Sequence, residues 1–255
     1  MKRFLNNLLY KFFRILIPKK NSNKYETEHF GTYYGGYDII HTNDIELVIS
    51  CGLGEDATFD IELLKKYNCK VIIIDPTPRA IKHYEEISSR FGRENDKNYE
   101  EKGGKQFANS YNLTNINKER LVFIDKAITD KNNSKIKLFF PKNKDFVSTS
   151  FEIDKNYSKE YLLAETINLE NILKKFQLKK IDILKLDIEG GEIIVLNDLI
   201  KKKIFPNQIL VEYKNIKNLN PFKLFKIFKI NKKLLKNGYK IVNVNTKGDY
   251  TYLKI

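Results

Sequence analysis

Apolar residues fall in short runs that end at glycine or an acid, with amphipathic stretches between them. Glu46–Ser50 predicts a short strand running into a Gly-rich turn, followed by a helical pattern through Tyr67. Lys70–Ile74 is apolar and β-branched and predicts a second strand, ending at Asp75. Pro76-Thr77-Pro78 makes a rigid turn, and Arg79–Phe91 reads as a helix. Further strands are predicted at Leu121–Ile124, Lys135–Phe140, Ile181–Leu186, Gln208–Tyr213, Tyr239–Val244 and Tyr250–Ile255. Helices are predicted at Thr166–Phe176, Glu192–Lys202 and Phe222–Asn237, the last stopped by Gly238. Strands alternating with helices imply βαβ units, an α/β fold and a mostly parallel sheet, which a C-terminal antiparallel hairpin would close.

Two stretches break this rhythm. In residues 1–20, Phe4, Leu5, Leu8, Leu9, Phe12, Phe13, Leu16 and Ile17 recur at helical spacing among six Lys or Arg and no acid. That predicts a basic amphipathic helix, packed on the domain or lying on an anionic membrane face. Residues 1–35 are read as this helix plus a linker, and 36–255 as the main domain. Residues 92–118 are polar and Asn-rich and read as a surface insertion or lid.

Composition narrows the function classes. No run approaches the roughly 20 apolar residues of a membrane span, and no small-residue cleavage site marks a signal peptide. Cys51 and Cys69 have no metal-site spacing and suit a reducing cytoplasm. The net charge of +14 invites nucleic acid, but the excess is Lys rather than Arg and no nucleic-acid motif accompanies it.

Chemistry concentrates at two predicted strand ends. Leu184-Lys-Leu-Asp-Ile-Glu-Gly-Gly-Glu192 places Asp187, Glu189 and Glu192 around a Gly pair. Carboxylates are costly there unless a ligand or partner uses them, and ligands bind at the carboxyl ends of strands in open α/β sheets. Ser50-Cys-Gly-Leu-Gly-Glu-Asp56 sets Gly52 and Gly54 between strand and helix, and Asp75 follows Gly52 by 75 − 52 = 23 residues, as for an acid that accepts from ribose. Two cofactors fit. NAD would use Ala57 as a third small residue, but Glu55 and Asp56 would repel its pyrophosphate. S-adenosylmethionine is cationic and phosphate-free and suits those acids, which equally serve a helix dipole.

The chain resembles FkbM-type S-adenosylmethionine-dependent methyltransferases. The likeness rests on Val48–Asp60, Ile74-Asp-Pro-Thr-Pro78, Lys126-Ala-Ile-Thr-Asp130, Thr166–Leu173, Ile183–Glu192 and Leu210-Val-Glu-Tyr213, in that order over roughly residues 30–255. The wording is closest to a variant GLGED/DPTP subgroup; Ser50 and Cys51 stand where an Asp usually precedes the glycines. The resemblance implies a Rossmann-like seven-stranded sheet and O-methylation of sugars, glycan precursors or other metabolites. It also implies that Gly52, Gly54 and Glu55 line the methionine end, Asp75 holds ribose, Asp125 to Ala127 flank adenine, and Asp187 lies near the transferred methyl.

Asp187 or Glu189 is the expected proton acceptor. Lys185 shares their strand parity and is expected to pair with one of them. A divalent metal on Asp187 and Glu189 lacks an evident third ligand. Glu192 doubles as a first-turn helix acid, and His41 and the Tyr33, Tyr34, Tyr37 cluster have structural readings beside substrate-side ones. An NAD-dependent oxidoreductase, and behind it a nucleic-acid methyltransferase, are the competing readings.

Overall fold

The computed structural model describes residues 25–100, 104–143, 148–214, 221–245 and 247–255, so the predicted helix in residues 1–20 lies outside the described residues. The described chain opens with a hairpin, β1 (Thr27–Phe30) and β2 (Tyr37–Ile40). There follow β3 (Leu47–Cys51), α1 (Thr58–Tyr67), β4 (Lys70–Ile74), α2 (Pro78–Ser88) and β5 (Leu121–Ile124). Next come β6 (Ala127–Ile128), β7 (Lys135–Pro141), β8 (Tyr157–Ile167), α3 (Leu169–Lys175), β9 (Ile183–Leu186) and α4 (Glu192–Lys202). The chain closes with β10 (Gln208–Val211), α5 (Pro221–Lys236), β11 (Tyr239–Val244) and β12 (Tyr250–Lys254).

The central sheet has seven strands in the order β11-β12-β10-β9-β3-β4-β5. β3, β4, β5, β9 and β10 run parallel, whereas β12 is antiparallel to both β10 and β11, so the sheet is mixed. The two apolar faces form two cores. Ile49, Ile72, Leu184 and Ile209 pack on one side, and Val48, Val71, Ile73, Ile183 and Leu210 on the other. Burial of each such side chain is worth about 1.5–3 kcal/mol, which explains why the parallel strands read as near-continuous apolar runs.

Several expectations shift. The helix predicted to reach Phe91 ends at Ser88. The helix predicted from Thr166 starts at Leu169, because Thr166 and Ile167 belong to β8 and the Asn168 side chain caps the helix by accepting from Asn171 N–H. β6, β7 and β8 build a second sheet in the order β6-β8-β7. Within residues 92–118, Tyr111 and Leu113 are fully buried, and the Tyr111 hydroxyl accepts from Ala57 N at 3.0 Å while meeting His83 Nε2 at 2.9 Å. Burial lowers the His83 pKa and so favours the neutral ring.

Candidate active site

Parallel strands all end on one edge of the sheet, and the chain gathers its acids there. One cavity is walled by the turn after β3 (Gly52 to Asp56), the exit of β4 (Asp75 to Thr77), Ala127 and Ile128, the β9 exit (Lys185, Asp187, Ile188, Glu189), Glu212, Tyr34 and Lys247. Gly52, Gly54, Glu55, Asp75, Ala127, Lys185, Asp187 and Glu189 thus converge as expected. Asp125 does not: it is exposed and outside the wall.

The Gly turn is held from below. Asp75 Oδ2 accepts from Leu53 N at 2.9 Å and Gly54 N at 3.1 Å, while Oδ1 accepts from Thr77 N at 2.8 Å and Thr77 Oγ1 at 2.7 Å. A carboxylate offers about four acceptor sites. Asp75 is therefore a clasp between two strand exits, and a ribose hydroxyl would have to displace one of these donors.

Asp56 has a comparable structural duty. It is buried, holds the entry to α1 by accepting from Thr58 N (2.9 Å) and Thr58 Oγ1 (2.7 Å), and ties in the Gly-Tyr loop through Thr32 Oγ1 (2.7 Å). Glu55 is paired outward with Arg79 at 3.4 Å and Lys105 at 3.3 Å.

Lys185 corrects an expectation. It is a nearly fully buried cation on β9, but it makes no ion pair with Asp187 or Glu189 among the described residues. Its Nζ donates to Gly52 O at 2.7 Å and stands 5.3 Å from the Tyr37 ring. β3 and β9 pair in register, Cys51 opposite Leu186, so the Gly52 carbonyl is within closer reach than the acids farther along the strand exit. Lys185 is thus a second brace of the Gly turn.

The free acids lie on adjacent strand exits. β9 and β10 pair with Leu186 opposite Val211, and Glu212 N donates to Leu186 O at 3.0 Å, so Glu212 follows its strand where Asp187 follows the neighbouring one. The Asp187 carboxylate beside it pushes Glu212 up to about 8. Burial, then Asp187, also raises Glu189, which takes a 3.4 Å hydrogen bond from the Tyr157 hydroxyl and whose backbone is left-handed at φ 52°. Among the described residues, none of Asp187, Glu189 and Glu212 forms an ion pair. Glu212 had no role in the sequence reading; the only signal was an acid directly after the apolar Gln208–Val211 run.

Glu192 lies outside this cavity. It is buried, burial pushes it up to about 8, and it accepts from Gly190 N at 2.9 Å, so it shapes the turn into α4. Tyr34 lines the cavity, Tyr33 is exposed and Tyr37 is core. Lys247 secures the loop that carries them, donating to Tyr33 O, Tyr34 O and Gly36 O at 3.0–3.2 Å. His41 sits outside the cavity wall, 3.7 Å from Glu28. Among the described residues no cluster of three His, Cys, Asp or Glu side chains has a metal-holding arrangement.

The family model described as "Methyltransferase FkbM domain" matches residues 42–241, which include every acid of this cavity. No curated protein and no solved structure matches the chain.

Proposed function

Because the chain belongs to the FkbM methyltransferase family, we propose that it binds S-adenosylmethionine in this cavity and methylates a hydroxyl of a sugar, glycan precursor or other small hydroxylated metabolite. The observation that carries the cofactor reading is the fate of the turn's amides. Leu53 N and Gly54 N are spent on Asp75, Ala57 N on Tyr111 and Thr58 N on Asp56. A pyrophosphate needs such amides free at a helix N-terminus. Here it would find them occupied and the surrounding wall acidic, which disfavours NAD and a phosphodiester substrate alike. A phosphate-free cation fits the same wall.

When bound, the cofactor supplies a methyl group on positively charged sulfur, open to in-line displacement by an oxygen. Asp187 and Glu189, which form no ion pair among the described residues, favour that charge. Gly52 and Gly54, braced by Lys185 and Asp75, form the floor against which the cofactor lies. Glu55 and Ala127 complete the wall.

Asp187 accepts the proton of the attacking hydroxyl. It faces the cavity without an ion-pair partner, whereas Glu189 is engaged by Tyr157. The Asp187 carboxylate raises Glu212 to about 8, so Glu212 is the poorer proton acceptor at neutral pH. Positioning can supply about 7–11 kcal/mol of rate enhancement, against about 3–5 kcal/mol for a general base, so cavity shape carries more than the base. The free, buried Cys51 and Cys69 fit a cytoplasmic location.

The reading is tested by incubating the protein with cofactor labelled in its methyl group and a cell extract, then identifying the labelled product. Label on a hydroxyl oxygen, lost with Asp187→Asn, is the expected result; label on nitrogen, or undiminished transfer by Asp187→Asn, overturns the oxygen and base assignments.

A further inference from the structure

α5 buries Leu224, Ile227, Ile230 and Leu234 against the sheet. Its opposite face leaves Phe222 66% and Phe225 46% exposed. That face also carries Lys226, Lys229, Lys232, Lys233 and Lys236, and the helix has no acid. Lys226 Nζ stands 4.8 Å over the Phe222 ring and Lys229 Nζ 4.6 Å over Phe225, so each aromatic is flanked by a cation.

The patch continues across the cavity wall. Lys223 is ion-paired with Glu152, which fastens the first turn of α5 to the segment that supplies Ser148, Thr149 and Phe151 to the cavity. That segment exposes Ile153 at 55%. Its acids are neutralised: Glu152 by Lys223, and Asp154 by Lys214 at 3.7 Å. Apolar tips ringed by lysines, with the nearby acids cancelled, suit a surface that is apolar inside and anionic outside. A second cationic segment is a poor occupant. Residues 1–20 carry six Lys or Arg and no acid, so they would repel α5, while both would be drawn to one anionic surface.

We propose that α5, through Phe222, Phe225 and the lysines around them, together with Ile153, docks the protein on an anionic lipid bilayer. The cavity then opens beside the membrane, and the acceptor is a hydroxylated group carried on a lipid or held at the membrane surface. The acceptor clause rests on the methyltransferase reading; the docking clause does not.

Flotation of the full chain with vesicles of phosphatidylcholine alone, and with phosphatidylglycerol added, tests the docking. Binding to the anionic vesicles only is expected. Phe222→Ser/Phe225→Ser and Lys226→Glu/Lys229→Glu should each weaken it at least about tenfold. Both pairs are solvent-facing, so their melting temperatures should match that of the parent protein. Equal binding to neutral vesicles, no vesicle binding, or unchanged binding by the Phe pair overturns the proposal. So does tight RNA binding that depends on the lysines but not on the phenylalanines. Binding of S-adenosylhomocysteine, measured on the same samples, reports on the cofactor site separately: a parent chain that binds the cofactor analogue but no vesicles refutes docking alone.

Discussion

The main-chain oxygen of Asp187 occupies the space where Gly52 would carry a β-carbon: an ideal Cβ on Gly52 would stand 1.9 Å from it. Gly52 also has φ +92°, which L side chains rarely adopt. The Gly turn and the proposed proton acceptor are therefore in direct backbone contact, and Asp187 N donates to Cys51 O at 3.0 Å to fix their spacing. Gly52→Ala should destabilise the protein by roughly 2–4 kcal/mol and displace Asp187. Chemical denaturation checks this; a variant within a few tenths of a kcal/mol of the parent would contradict it.

Asp75→Asn tests the clasp. An amide nitrogen cannot accept from Leu53 N and Gly54 N, and hydrogen bonds to a charged group are worth about 1.5–3 kcal/mol each. Affinity for S-adenosylhomocysteine, measured by calorimetry, should fall at least about tenfold through loss of the turn's shape. Undiminished affinity would show that the turn holds its form without Asp75.

Glu192 gives stability a pH slope. Burial raises it from 4.5 to about 8 in the folded protein. The folded state thus binds the proton more tightly than the unfolded chain, and stability falls as pH rises from about 4.5 through about 8. Glu192→Gln keeps an acceptor for Gly190 N and cannot ionise. Melting temperature against pH should therefore fall less steeply over that window in the variant. Equal slopes in parent and variant would contradict this origin.

How legible the molecule was in its sequence depends on what each feature requires. β3, β4, β5, α4 and the Gly turn were readable because each is a local apolar run with a Gly or acid stop. β8 was not: its sequence Tyr-Ser-Lys-Glu-Tyr-Leu-Leu-Ala-Glu-Thr-Ile is largely exposed on one face, and it pairs antiparallel with β7 across a small sheet. The β1–β2 hairpin was missed because four-residue strands flanking a Gly-Tyr loop give too short a pattern. Lys185 was assigned the right cavity and the wrong partner, because strand parity gives its face and not the carbonyl within reach. Glu212 depends on the β9–β10 register, a tertiary fact with no local trace.

Glu212 should set the pH profile. Below about 8 it holds a proton beside Asp187; above, it adds a second negative charge to a wall that faces a cationic cofactor. Once an acceptor is in hand, kcat/KM should rise through an inflection near pH 8, and Glu212→Gln should lack it. The same inflection in the variant would assign the titration to another group.

The central claim is the identity of the cofactor, and thermal denaturation with S-adenosylhomocysteine and, separately, with NAD tests it most directly. A ligand at a hundredfold excess over its Kd adds about 2.7 kcal/mol to stability, roughly 5–10 °C for a chain of this size. A rise of that order with S-adenosylhomocysteine and none with NAD is expected; stabilisation by NAD alone would contradict the account.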